Sequence, residues 1–144
     1  MRFFFYGTLL DRDVAALVLG RRLPPGAFVP AVLPGHARWQ VKGGTYPIAV
    51  RDPCREVEGA VVSGLSARDV ARLAAYEGPG YRISLLKVRV AGSLIAASMF
   101  EPLMTRLQPT RRLWHLAVWQ RRDKRLYIAR IRRSISAHPA YSTQ

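Results

Sequence analysis

The stretch Phe3-Phe4-Phe5-Tyr6-Gly7-Thr8-Leu9 decides how this chain is read. Four aromatic residues in a row, stopped by glycine, describe a short central strand with both faces buried. Gly7 ends the strand and lets another group approach the backbone closely. Working outward, Asp11 to Leu19 reads as a short helix. Asp11 caps it, Val14, Leu17 and Val18 share a face, and Gly20 stops it. Arg21 to Pro30 reads as a loop around Pro24-Pro25-Gly26.

Strands are expected at Val29 to Leu33 and Ala37 to Lys42, joined by Pro34-Gly35. Gly43-Gly44 is a turn. Further strands are expected at Tyr46 to Val50 and Val57 to Leu65, with Gly59 and Gly64 as candidate bulges. Ser66 to Tyr76 carries the clearest helix signal. Ser66 caps it, Asp69 follows three residues on, and Val70, Leu73 and Ala74 line one side. Arg82 to Val90 and Leu94 to Phe100 form a hairpin about Gly92-Ser93. Leu113 to Ile135 reads as one or two basic helices anchored by Leu116, Trp119, Leu126, Tyr127 and Ile131. Many short strands with few helices predict an α+β fold, a small mixed β-barrel with flanking helices. Residues 1–144 are read as a single domain with a basic helical segment at 111–136.

The 144 residues suffice for one core. No apolar run reaches the length of a membrane span, so no membrane partner is expected. The apolar start is shorter than a signal peptide requires. Cys54 is the single cysteine; it fits a reducing cytoplasm and permits no intrachain disulfide. His36, His115 and His138 lack ligand spacing, so no metal site is expected. Net charge is +14, and residues 101–133 supply +8 of it from ten basic and two acidic residues. Such a segment attracts polyanions. Basic residues interleaved with aromatics, as a stacking platform needs, are scarce. Any nucleic-acid binding is therefore expected to be weak and indifferent to sequence.

A second segment matters for chemistry. Tyr76-Glu77-Gly78-Pro79-Gly80-Tyr81-Arg82 sets one carboxylate between two tyrosines, in a chain with only 9 acidic residues. Drying by those tyrosines would raise the Glu77 pKa toward the range useful in proton transfer. The loop at Gly7 offers unpaired N–H groups to a carboxylate or a developing oxyanion. No serine sits in a nucleophile-elbow setting. Arg82 is a candidate for a substrate carboxylate, with a surface ion pair as the equal alternative.

Tyr6-Gly7-Thr8-Leu9, Gly20, Gly35, Tyr46-Pro47, Val57-x-Gly59, Leu73, Tyr76-Glu77-Gly78 and Tyr81-x-Ile83 follow one another in one order. In this the chain resembles the gamma-glutamylcyclotransferase-like family, including its gamma-glutamylamine cyclotransferase branch. The resemblance covers roughly residues 2–100 and extends weakly to Trp114 and Trp119. It implies a small barrel, no cofactor, and release of 5-oxoproline from a small gamma-glutamyl amino acid or amine. It also implies that Tyr6, Gly7, Thr8 and Leu9 bind substrate, that Glu77 is catalytic and that Tyr81 is a nearby aromatic. One departure is Leu73-Ala74, where the family often has Leu-Asp. Two alternatives stand beside the enzyme: a metabolite-binding member without catalysis, and a basic barrel that binds nucleic acid.

Overall fold

The three phenylalanines do form a strand, and it is an inner one. In the computed structural model, which describes residues 1–141, β1 (Phe3–Phe5) lies between β3 (Pro47–Val62) and β5 (Ser93–Pro102). The strand order is β3-β1-β5-β4-β2-β6, where β2 is Val29–Val41, β4 Tyr81–Val90 and β6 Pro109–Leu113. A further β2–β3 pairing closes the first five strands into a barrel. The barrel is mixed: β1 runs parallel to β5, and the other pairs are antiparallel. Closure leaves those five strands with no free edge between them.

Alternation along β1 sorts its side chains. Phe4 joins Ala31, Leu33, Val57, Val88 and Met99 in the cluster that fills the barrel. Phe3 and Phe5 face the other way, against Val14, Val18, Leu73, Trp119 and Ile131 from the helices. A continuous apolar run is what a strand buried on both faces requires. Gly59 on β3 is also fixed by this packing, because a Cβ there would sit 2.2 Å from the Phe5 carbonyl oxygen.

The helices α1 (Arg12–Leu19) and α2 (Ala67–Glu77) begin at the expected caps. Asp11 accepts from the N–H groups of Asp13 and Val14 at 2.9 and 3.0 Å. Ser66 and Asp69 make a reciprocal capping box.

Three expectations change. The break at Pro34-Gly35 is a bulge within one long strand, with Pro34 opposite Glu56 and His36 opposite Arg51. Gly35 at φ +71° bends the chain there, and Asp52 to Arg55 bow out across from it. Residues 111–113, read as the start of the basic helical segment, belong instead to β6 on the outside of β2. Pro109 suits such an edge, and Thr110 Oγ1 donates to the Gln40 carbonyl at 2.8 Å. The basic segment forms two helices, α3 (Leu116–Arg122) and α4 (Lys124–Ala137). Within them Trp119, Tyr127 and Ile131 face inward at helical spacing, which leaves Leu126 exposed, not anchored.

Candidate functional site

Glu77 is the last residue of α2, and Gly78 at φ +77° turns the chain away behind it. Tyr81 then opens β4. On the other side, the chain leaving β1 at Tyr6 enters a single helical turn at Thr8–Leu10. These two chain turns meet. They line one cavity of about 160 Å³ together with Tyr46, Pro47, Phe100 and Tyr127. Gly7 and Glu77, 70 positions apart in sequence, thus share a single site.

The chemistry of this cavity is one carboxylate among phenols. Glu77 is its only acidic lining residue, and no lysine or arginine lines it. Part of Glu77 remains accessible, but its carboxyl lies within the cavity, where burial pushes its pKa up to about 8. No ion pair relieves it among the described residues. Five of the chain's six tyrosines surround it. Burial, and with it the nearby Glu77 charge, raises the pKa of Tyr6, Tyr46, Tyr76, Tyr81 and Tyr127. All five stay neutral hydroxyls, able to donate.

Local contacts fix this wall. Tyr6 Oη donates to the Phe100 carbonyl at 3.0 Å. The hydroxyls of Thr8, Tyr76 and Tyr127 form a chain, Thr8 to Tyr76 to Tyr127, that ties the loop, α2 and α4 together. Gly7 packs under Pro47, where a Cβ would fall 3.0 Å from the Pro47 Cγ. The Gly7 and Thr8 carbonyls accept from Leu10 and Asp11, each at 3.0 Å. The N–H groups of Gly7, Thr8 and Leu9 have no acceptor among the described residues.

Of the residues picked from sequence, Tyr6, Gly7, Thr8, Leu9, Glu77 and Tyr81 all line the cavity. Arg82 does not. It faces a separate cleft and pairs with Glu101, Nη2 to Oε1 at 2.6 Å. The reason is strand alternation: Tyr81 and Arg82 are neighbours on β4, so they point to opposite faces. Residues missed from sequence are Tyr127 and the phenol of Tyr46. Tyr46 stood only as part of a motif, and Tyr127 only as a packing anchor. A third is Arg38, which braces the loop from behind. Its guanidinium donates to the carbonyls of Tyr6, Glu58 and Trp114 at 3.0, 2.9 and 3.2 Å.

The fold is shared with known proteins. The family model described as gamma-glutamyl cyclotransferase, AIG2-like, matches residues 3–121. Protein AIG2 C of Arabidopsis thaliana is 36% identical over 91 residues, covering 62% of this chain and 53% of that protein. The chain thus spans about half the length of that relative. AIG2-like protein A of Arabidopsis thaliana is 32% identical over 127 residues, covering 87% and 75%. Among solved structures, the solution structure of an Arabidopsis thaliana protein superposes with a TM-score of 0.67 at 27% identity, covering 94% and 90%. One described as a gamma-glutamyl cyclotransferase superposes at 0.58 with 17% identity, covering 76% and 69%; at that identity it shows the shared fold alone. Tyr127 lies beyond the residues the family model covers, so the site draws on both the shared barrel and the helix that follows it. With the match running from β1 through most of α3, this chain belongs to the AIG2-like gamma-glutamyl cyclotransferase family.

Proposed function

We propose that the protein cyclises the gamma-glutamyl group of a small gamma-glutamyl amino acid or amine, releasing 5-oxoproline and the free amine. The observation that carries this is the uncompensated Glu77 carboxyl, held near pKa 8 and facing a loop of unpaired N–H groups.

The substrate brings its own nucleophile. Its α-ammonium gives a proton to the Glu77 carboxylate, and the freed amine attacks the γ-carbonyl carbon. A C–N bond forms and closes a five-membered ring. The carbonyl oxygen takes up the electron pair as an oxyanion, which the N–H groups of the Gly7–Leu9 loop stabilise. The leaving nitrogen takes that proton from Glu77, the tetrahedral centre collapses and the bond to that nitrogen breaks. Glu77 then takes the second proton from the new ring nitrogen, which leaves the neutral lactam, and passes it to the released amine, which departs as an ammonium. One carboxyl thus serves as base and then as acid. Because attack is intramolecular, orientation by the tyrosine wall supplies much of the acceleration.

A pKa near 8 suits this exchange. An ordinary carboxylate is too weak a base to take a proton from an ammonium group. Raising its pKa brings donor and acceptor closer to balance. The approaching ammonium also favours the ionised form at the moment it is needed. Tyr6, Gly7, Thr8, Leu9 and Tyr81 are assigned to substrate binding, and Glu77 to catalysis. The lone Cys54 fits action in a reducing cytoplasm.

The test is a panel of gamma-glutamyl amino acids, gamma-glutamylamines and gamma-glutamyl-lysine compounds, with 5-oxoproline as the readout. Release from at least one class, slowed by about 10²–10⁴-fold in Glu77→Gln, is expected. Binding without release would instead make the protein a metabolite binder.

A further inference from the structure

We propose that Arg38 is a positioning residue for the site, one that locks the Tyr6–Gly7 peptide so that the Gly7 N–H faces the Glu77 cavity and polarises that peptide from behind. This rests on the cyclisation reading for its catalytic consequence, but not for its geometry.

Arg38 lies on β2 and does not line the Glu77 cavity. It reaches the loop from the opposite side, where it lines two outer clefts. Its Nη1 donates to the Tyr6 carbonyl at 3.0 Å and to the Glu58 carbonyl at 2.9 Å, and its Nε donates to the Trp114 carbonyl at 3.2 Å. Its guanidinium also lies 5.2 Å from the Trp114 ring centre. No carboxylate forms an ion pair with it among the described residues; Glu58 meets it through the backbone. Burial accordingly lowers the Arg38 pKa. An unpaired cation in such a place is costly unless its hydrogen bonds are satisfied, and here three backbone carbonyls satisfy it.

The consequence follows from peptide geometry. In a planar trans peptide the C=O and the next N–H point in opposite directions. Holding the Tyr6 oxygen outward on Arg38 therefore turns the Gly7 N–H inward, toward the cavity. The Gly7 N–H has no acceptor of its own among the described residues. A charged donor on the carbonyl oxygen also draws electron density from the peptide, which strengthens the N–H as a donor. Arg38 would thus act through Gly7, without touching substrate.

The experiment compares wild type with Arg38→Met and Arg38→Lys in two independent readouts. The first is the Gly7 amide resonance, followed by NMR in the free protein. The second is steady-state turnover of the best gamma-glutamyl compound. Losing one oxyanion donor typically costs 10²–10³-fold in kcat. Arg38→Met is expected to lower kcat by about 10²-fold while KM changes little, and to move the Gly7 amide resonance. Guanidinium ion added to this variant should recover part of kcat. Arg38→Lys keeps the charge but not the three-way grip, so a fall of about tenfold is expected. It is the variant to read if Arg38→Met does not fold. A folded variant with an unmoved Gly7 amide would overturn the proposal, as would one with kcat unchanged. If wild type turns over no gamma-glutamyl compound, the cyclisation reading fails, while the Gly7 amide still decides what Arg38 does.

Discussion

The two ends of α2 carry carboxyl groups with opposite fates. Asp69, in the first turn, accepts from Arg21 Nη2 at 3.0 Å and from the Ser66 N–H at 2.9 Å. The Arg21 hydrogen bond above all holds its pKa down to about 2. Glu77, in the last turn, has no such partner, and burial drives its pKa up to about 8. The helix adds to the contrast, since its N-terminal end favours an anion and its C-terminal end opposes one. Asp11 and Glu101 follow Asp69. Burial raises them, but hydrogen bonds from Lys124 and Gln120, and from Arg82 and Ser84, outweigh it. In a chain of net charge +14, cations are plentiful. The cavity around Glu77 is where they are missing, and that exclusion leaves burial unopposed in raising the Glu77 pKa.

The sharpest way to break this contrast is to neutralise Glu77. Glu77→Gln keeps the shape but cannot carry a proton, so kcat should fall by about 10²–10⁴-fold. Turnover of the best gamma-glutamyl compound measures it, and a near-wild-type rate would remove Glu77 from the mechanism. The matching change at the other end, Asp69→Ala, removes both a capping partner and an ion pair. A loss of about 2 kcal/mol in folding stability is expected, read by urea denaturation. The stability that Asp69 adds is present above its unfolded pKa near 3.8 and fades as pH falls toward 2. The two proteins should therefore converge in acid.

Glu77→Gln should have the reverse signature in stability. A raised carboxyl pKa means that the folded state resists the charged form. The cost is absent below about 4.5 and grows as pH rises to about 8. Glu77→Gln should therefore be more stable than wild type at pH 8 by about 1 kcal/mol or more, a few degrees in Tm. The gap should close toward pH 4.5. A thermal melt series across that range reads it, and a gap that widens in acid would reverse the assignment. The smallest effect is expected on the arginine face of α3 and α4. Arg121, Arg122, Arg125, Arg130, Arg132 and Arg133 are all exposed there, with no ion pairs among the described residues. We propose only weak binding to duplex or single-stranded nucleic acid, lost near physiological salt through counterion release. A salt titration checks this, and tight sequence-dependent binding would contradict it.

Much of the fold was legible because its signals are local. The Phe3–Tyr6 run, the Asp11 and Ser66 caps and the glycine stops each depend on a few neighbouring residues. The meeting of Gly7 with Glu77 was legible only through the order of motifs along the chain. What escaped depends on long-range packing. Tyr127 joins Tyr76 across 51 residues, and Arg38 reaches Tyr6 across 32, with nothing local to announce either contact. The strand at 109–113 escaped because an edge strand borrows its hydrogen bonds from β2. Arg82 had two readings in sequence, a substrate carboxylate or a surface ion pair, and the structure takes the second: a strand starting at Tyr81 cannot aim two successive side chains into one cavity.

The most direct test follows the carboxyl carbons of both ends of α2 through a pH titration by ¹³C NMR. Glu77 is expected to titrate at about 8 and Asp69 at about 2 in the same folded protein. A Glu77 midpoint in the ordinary carboxylate range, near 4.5, would contradict the dry, cation-free site on which the proposed proton transfer depends.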